Sequence, residues 1–588
     1  MPTSVSVRAT PACLALALLC ACAPHATIRP MSDEFTREIR VTAHAAGDDL
    51  LTAGLGLDGL RGAAPTFADP AAPTPAELRR RAIWTNWRGI VDLSPAGFGT
   101  AYGSAPAVEG REFATFASAP DGTAAHRLLA QVPDAFDRNA RCLVVTPVSG
   151  SRGVYGSIGF FGSWALPRGC AIVYTDKGLG TDLFDPDTGT GVRVDGTRSA
   201  QGELAFVPPG PRPDAAHRIA FRHAHSQANP EAHWGRHTLQ ALRFGLHALN
   251  LAFPELAPFT PENTRILGAG LSNGGGALLR GAELPGGEAF DAVVAAAPNL
   301  TVAGRRHLYD YALDAALYQP CLFADPDFDG APGVLPPAVM QAAALARCAS
   351  LAAAGLLDEQ HDPVAQAREA RVRLHAAGWE DAPLRLAAFH AGLDLWRSLL
   401  ATYTQAYTGA AIAAPQCGYT FALLDPQGAP RAASIAERAA WWADGNGIAP
   451  GMGIVVHDAL AAGADPAFPA LDCVRRLRAG EGQAAASLAA GIDATLATAR
   501  PRAPHIHVLH GADDGLVPAA FSSRAWVEAV RASGTPGTLV YDELPNVQHF
   551  DAFLPLPAFA GRMKPLLPPA HAALDDAFAR VTGAHAGP

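Results

Sequence analysis

Arg265-Ile-Leu-Gly-Ala-Gly-Leu-Ser-Asn-Gly-Gly-Gly-Ala-Leu-Leu-Arg280 runs from a short apolar segment into a glycine-flanked serine and then directly into a helix-forming segment. Within it, Gly270-Leu271-Ser272-Asn273-Gly274 has the spacing G-x-S-x-G. In that motif the serine occupies a cramped strand-to-helix turn, and only glycine leaves room two residues to either side. A serine so placed presents Oγ at the end of a strand, beside the free N–H groups of a helix N-terminus, whose partial positive charge suits an oxyanion. The competing reading is a tight structural turn, and so short a motif is decided by its surroundings.

Those surroundings alternate. Cys142-Leu-Val-Val-Thr-Pro147, Ala171-Ile-Val-Tyr174, Arg265-Ile-Leu267, Ala289-Phe-Asp-Ala-Val-Val294, His505-Ile-His-Val-Leu509 and Gly537-Thr-Leu-Val-Tyr541 are short apolar runs of the kind that form buried parallel strands. Helical patterns separate several of them, and Leu239, Leu242, Leu246 and Leu249 form one apolar stripe just before the elbow strand. Residues 112–118 and 124–132 read as a hairpin about Pro120-Asp-Gly122. The pattern predicts an α/β-hydrolase-like, mostly parallel sheet covered on both faces. Residues 301–500 interrupt it with Ala-rich helical runs at 338–356 and 384–409 and Pro/Gly-rich joints at 325–337 and 414–431, which we read as a large, mainly helical cap. The expected division is 27–110 as a loop-rich wrapping region, 111–300 and 501–588 as the two parts of the sheet domain, and 301–500 as the cap.

A serine nucleophile needs a base and a group to orient it, and on this fold they follow in the order Ser, Asp, His. Leu509-His-Gly-Ala-Asp-Asp-Gly-Leu-Val-Pro518 leaves a predicted strand, as the acid's loop should. Register favours Asp514 over the adjacent Asp513, and a helix N-cap is its structural alternative. Pro545-Asn-Val-Gln-His549 places His549 beyond the last strand, where it can take a proton from Ser272. His505, His507 and His510 lie within or beside the acid's strand and are poorer candidates for the base. For the oxyanion hole the sequence offers the N–H of Asn273 and those of Gly150 and Ser151, in the glycine-rich loop Val148-Ser-Gly-Ser-Arg-Gly-Val-Tyr-Gly156. Arg152 and Lys177 stand at strand ends where either could hold a substrate carboxylate, although most such residues are solvated surface charges.

Composition limits the rest. At 49% hydrophobic and 17% charged, with a net charge of −10, the chain is a poor nucleic-acid binder. Residues 1–26, with the apolar run Ala12-Cys-Leu-Ala-Leu-Ala-Leu-Leu-Cys-Ala-Cys22, read as an export signal, and no later run is apolar enough for a membrane span. Leu19-Cys-Ala-Cys22 approximates a lipobox that would place a lipid on Cys22. The expected location is therefore extracellular or periplasmic, with anchoring to the outer membrane as the alternative. Six cysteines remain after the signal, an even number that suits disulfides in an oxidising compartment. Of the fifteen pairings that six cysteines allow, joining sequence neighbours gives 142–170, 321–348 and 417–473; free buried thiols are the alternative. Asp325-Pro-Asp-Phe-Asp-Gly330 starts like a calcium loop, but Pro336 stands where the bidentate glutamate belongs. No zinc pattern appears, so neither a metal nor a nucleotide cofactor is expected.

Several segments also carry a family resemblance: Asn86-Trp-Arg-Gly-Ile-Val-Asp-Leu93, Ser149-Gly-Ser-Arg-Gly-Val-Tyr-Gly156, Arg168-Gly-Cys-Ala-Ile-Val-Tyr-Thr-Asp-Lys-Gly178, His223-Ala-His-Ser-Gln-Ala-Asn-Pro-Glu231 and Leu271-Ser-Asn-Gly-Gly-Gly276. They span nearly the whole mature chain, and the sequence resembles the D-(−)-3-hydroxybutyrate oligomer hydrolases, bacterial serine esterases that act downstream of polyhydroxybutyrate depolymerases. The resemblance implies Ser272 as nucleophile, with Asp514 and His549 at the acid and base positions, and small ester oligomers as substrates. The lipobox-like segment departs from the family pattern. A general carboxylesterase of tannase or feruloyl-esterase type fits the same triad, and a catalytically silent surface-binding protein is the alternative outside enzymes. Nothing in the sequence sets the oligomeric state.

Overall fold

The computed structural model describes Met1, Phe35 and residues 37–583, apart from 118–124, Ser151, Leu179, Val334 and 446–450. Residues 2–26 of the segment read as an export signal, Cys22 among them, the expected turn at Pro120-Asp-Gly122 and Ser151 therefore lie outside the described residues. Nine strands make one sheet: β1 (Arg40–His44), β2 (Gly110–Ala117), β3 (His126–Pro133), β4 (Cys142–Pro147), β5 (Ala171–Thr175), β6 (Arg265–Leu271), β7 (Ala292–Ala296), β8 (His505–Gly511) and β9 (Thr538–Leu544). Their spatial order is β1-β2-β3-β5-β4-β6-β7-β8-β9. Every pairing from β5 to β9 is parallel, while β1, β2 and β3 add an antiparallel end. This is the sheet of an α/β-hydrolase with one extra edge strand.

Burial explains why the central strands read as unbroken apolar runs. Alternate residues of β4 enter opposite cores, Leu143 and Val145 on one face and Cys142 and Val144 on the other. A strand covered on both faces has no solvent side on which to place polar residues. One cover is α1 (Pro230–Ala252), whose Leu239, Leu242, Leu246 and Leu249 are all buried in the same core as Leu143 and Val173. At about 1.5–3 kcal/mol per fully buried leucine, this stripe outweighs any helix propensity in fixing α1 against the sheet. Two strands differ from expectation in register. β6 runs on to Leu271, and β7 starts at Ala292 rather than 289 because Gly287–Ala289 form a 3-10 turn and Asp291 caps the neighbouring edge, its carboxylate accepting Ile266 N–H at 2.8 Å.

The segment read as loop-rich, 27–110, contributes β1 and a helix over Pro75–Trp87, started by a Thr74/Glu77 capping box. The elbow helix is α2 (Asn273–Glu283), and residues 301–500 hold α3 (Leu308–Leu322), α4 (Asp381–Gly392) and α5 (Leu395–Thr408) among several other helices. The run read as one helix, 384–409, is two, broken at Asp394, whose φ of 54° no helix accommodates. The joint read as loop, 414–431, holds Tyr419–Leu424, the middle strand of a three-stranded antiparallel sheet. The core of this region also takes Leu183, Ile219, Phe221 and Ala224, so the segment between β5 and α1 is part of the same body. Disulfides join Cys142 to Cys170, Cys321 to Cys348 and Cys417 to Cys473, with Cα separations of 4.7, 4.9 and 5.6 Å. Asp325 caps a 3-10 turn, accepting Asp327 N–H at 3.2 Å. Among the described residues, no helix is long and apolar enough to cross a membrane.

Burial also sets the response to acid. It pushes His126 down to about 3 and His223, His225, His307 and His390 to about 4, so these rings are neutral in the fold. In the unfolded chain they protonate near 6.5, so below that pH the unfolded state binds more protons and stability falls with pH until about 4. Asp176 and Asp551 are pushed up by burial and act oppositely, but the histidines outnumber them. The unfolding midpoint should drop by on the order of 10 °C between pH 7 and pH 4. Scanning calorimetry across that range checks this, and a flat profile would contradict it.

Candidate active site

Ser272 is the turn between β6 and α2. Its backbone stands at φ 58°, ψ −130°, a conformation that costs a side-chain-bearing residue about 1–3 kcal/mol. The surroundings enforce it: Ser272 N–H donates to Ala296 O at 3.0 Å, and Asn299 N–H donates to Ser272 O at 2.9 Å. The flanking glycines are required by space. A Cβ on Gly270 would lie 2.7 Å from Gly274 O, and one on Gly274 would lie 2.2 Å from Pro147 O. The second contact also packs Pro147 and Val148, where the glycine-rich loop after β4 begins, on the first turn of α2.

The other two members arrive from β8 and β9. Ser272 Oγ lies 2.9 Å from His549 Nε2, and His549 Nδ1 lies 2.5 Å from Asp514 Oδ2. A carboxylate only accepts, so Nδ1 carries the proton and Nε2 offers its lone pair to the serine hydroxyl. Asp514 Oδ1 accepts Leu516 N–H at 2.9 Å and Val517 N–H at 2.8 Å, which fixes the carboxylate plane. Burial alone would push its pKa up, but His549 and His510 hold the carboxyl well below the usual carboxylate range. Asp513 is half-exposed, its N–H bonded to Val547 O at 3.1 Å, and does not reach His549. All three groups are nearly sealed: Ser272 is 5% exposed, His549 1% and Asp514 0%.

Of the remaining candidates, Asn273 opens α2, and Gly150 sits in the loop beyond Val148 with φ 49°. Arg152 is 9% exposed. Its Nη1 donates to Arg88 O at 2.9 Å, no carboxylate among the described residues pairs with it, and burial lowers its pKa to about 10. Lys177 is not the free cation its position suggested. Its Nζ is fully buried and bound by Glu231, as a buried ammonium requires. The sequence reading missed two layers. His510 Nε2 lies 2.7 Å from Val517 O and 3.3 Å from Asp514 Oδ2, placing a second imidazole on the acid. Tyr403, on α5, accepts from Asn273 Nδ2 at 2.8 Å. His510 lies near the end of β8, in the segment already quoted, and could have been found there; nothing local to Tyr403 announces a contact 130 residues away.

This arrangement can move a proton from Oγ to His549 while Asp514 stabilises the imidazolium. Ser272→Ala and His549→Ala should each lower kcat by about 10⁴-fold or more, and the double variant should be no slower than either alone, because the pair acts as one unit. Asp514→Asn should cost about 10⁴-fold, whereas Asp513→Asn should stay close to the parent. Steady-state kinetics on a soluble ester distinguishes the two acids, and the reverse order would move the assignment to Asp513.

The chain has relatives among known proteins. A family model described as 3HB-oligomer hydrolase matches residues 18–588. A D-(−)-3-hydroxybutyrate oligomer hydrolase of Cupriavidus metallidurans is 36% identical over 597 residues, covering 91% of this chain and 82% of that protein. The proteins of that description in Burkholderia vietnamiensis and Burkholderia pseudomallei are 37% and 35% identical, covering 90% and 94% of this chain and 84% and 88% of theirs. Among solved structures, the rice cell wall degrading esterase LipA from Xanthomonas oryzae overlaps 81% of this chain and 89% of its own, at 11% identity and a TM-score of 0.29, and the fold is assigned from sheet order and elbow alone. With elbow, acid loop and base loop all inside the matched span, the chain belongs to the 3HB-oligomer hydrolase family.

Proposed function

We propose that this chain is an exported serine esterase that hydrolyses D-(−)-3-hydroxybutyrate oligomers to monomers. The observation that carries the reading is the unbroken Ser272–His549–Asp514 hydrogen-bond chain in a member of this family. Ser272 Oγ attacks the ester carbonyl carbon as His549 Nε2 takes its proton, and the N–H groups of Asn273 and Gly150 receive the oxyanion. The C–O bond to the departing hydroxyacyl unit then breaks, and His549 returns the proton to that alkoxide. Water, deprotonated by the same nitrogen, releases the second acid from Ser272. No metal or nucleotide enters this sequence. Residues 1–26 direct export, with Cys22 as the site of lipid attachment if the chain is retained at the outer membrane.

Two features support short, soluble substrates. The triad is sealed under the cap, so a chain must enter beneath it, which a flexible oligomer can do and a crystalline polymer surface cannot. Arg152 is a buried guanidinium with no carboxylate partner among the described residues, a costly state that the terminal carboxylate of an oligomer would relieve. Its partner Arg88 lies two residues before Ile90, whose O accepts the N–H of Ala552, three residues past the base.

Defined oligomers of 3-hydroxybutyrate, followed by product chromatography, should give monomers rapidly, and intact polymer granules should be degraded slowly at most. Fast granule degradation would overturn the gating role of the cap. Arg152→Gln should raise KM for free-acid oligomers about ten- to hundredfold, the size of a lost charge-assisted hydrogen bond, and hardly change it for their methyl esters. Equal effects on both would remove Arg152 from carboxylate recognition.

A further inference from the structure

Behind the elbow lies a set of buried polar groups that the reaction above does not use. Lys177 Nζ is bound by Glu231 of α1 and donates to the hydroxyl oxygen of Tyr403 at 3.0 Å. Glu231 also lies 3.1 Å from His223 Nε2, which must donate because a carboxylate cannot. The same Tyr403 oxygen also accepts from Asn273 Nδ2 at 2.8 Å. The other end of the Asn273 amide, Oδ1, accepts Asn299 Nδ2–H at 2.8 Å. Both ends of one side chain are therefore fixed, by the loop after β7 on one side and by the cap on the other.

On the proposed mechanism the backbone N–H of Asn273 meets the charge developing on the ester oxygen, so holding its side chain from two directions also holds the donor's peptide plane. We infer that Tyr403 is a positioning residue of the cap: when the cap is seated, its hydroxyl locks Asn273 and with it the oxyanion donor. This rests on the reading of Ser272 as the esterase nucleophile. Lys177, itself held by Glu231, acts through Tyr403 by donating to the oxygen that meets the asparagine. A desolvated site rewards such fixed dipoles, because they need no reorganisation as charge appears. The network also makes chemistry depend on cap position, since Tyr403 reaches Asn273 only with α5 in place.

Tyr403→Phe keeps the ring, which packs edge-on to Tyr407 at 5.4 Å and His223 at 5.0 Å between centroids, and removes only the hydroxyl. The expected result is a kcat about tenfold lower, less than the 10²–10³-fold of deleting an oxyanion donor itself, with KM within about twofold. Asn273→Ala, which retains the backbone N–H but loses the Asn299 bond as well, should lose at least as much. Adding Tyr403→Phe to Asn273→Ala should then cost nothing further, because the Tyr403–Asn273 bond is already absent in that background. An unchanged kcat in Tyr403→Phe, or an equal additional loss in the Asn273→Ala background, would overturn the inference. Either outcome beside an active parent and an inactive Ser272→Ala leaves the esterase reading intact; an inactive parent would instead remove the reading beneath it.

Discussion

Ser272 is held at φ 58°, ψ −130° between a strand and a helix that approach too closely for any side chain at positions 270 and 274. This strained turn is the constraint from which the site follows. It fixes Oγ at the C-terminal edge of the sheet, with the first turn of α2 beside it. Parallel strands then do the rest, because β8 and β9 end at the same edge and their loops deliver Asp514 and His549 to one place. The doubly covered sheet supplies the rigidity that such strain needs, since every contact around β6 is against packed core.

The cap is joined to this edge at more than one point. A Cβ on Gly515 would lie 2.5 Å from Ala387 N, so the acid's loop is pressed directly against α4. His390, on that same helix, is kept neutral by burial close to Asp514 and His549. On the opposite side Tyr403 of α5 holds Asn273. The loop bearing Asp514 and the residue after Ser272 are thus braced by consecutive helices, and the three side chains they flank are nearly closed to solvent. Low local dielectric strengthens every interaction the triad makes, and it equally explains why Lys177 is found neutralised by Glu231.

The sheet and the elbow were legible in the sequence because they rest on local rules. Unbroken apolar runs mark strands buried on both faces, and the glycines of the elbow mark close approach, which the 2.2 and 2.7 Å contacts make explicit. The positions proposed for acid and base come together because loop order on this sheet is fixed by topology. Legibility ended where contacts cross between distant segments. Lys177 reads as a surface cation until Glu231 and Tyr403 are seen around it, and Tyr403 reads as one aromatic in an amphipathic helix. The strand Tyr419–Leu424 was read as loop because Pro and Gly on either side of it outweighed six residues of β-forming sequence. The helical break at Asp394 was hidden by continuous apolar composition.

The central claim is that a buried serine, activated by His549, performs acyl transfer. Covalent labelling by a fluorophosphonate followed by peptide mass mapping tests it most directly, because the reagent reacts with a serine only when a base and an oxyanion hole serve it. The expected result is a single adduct on the peptide containing Ser272, absent from Ser272→Ala. No adduct on the folded protein, or one located on another residue, would contradict it.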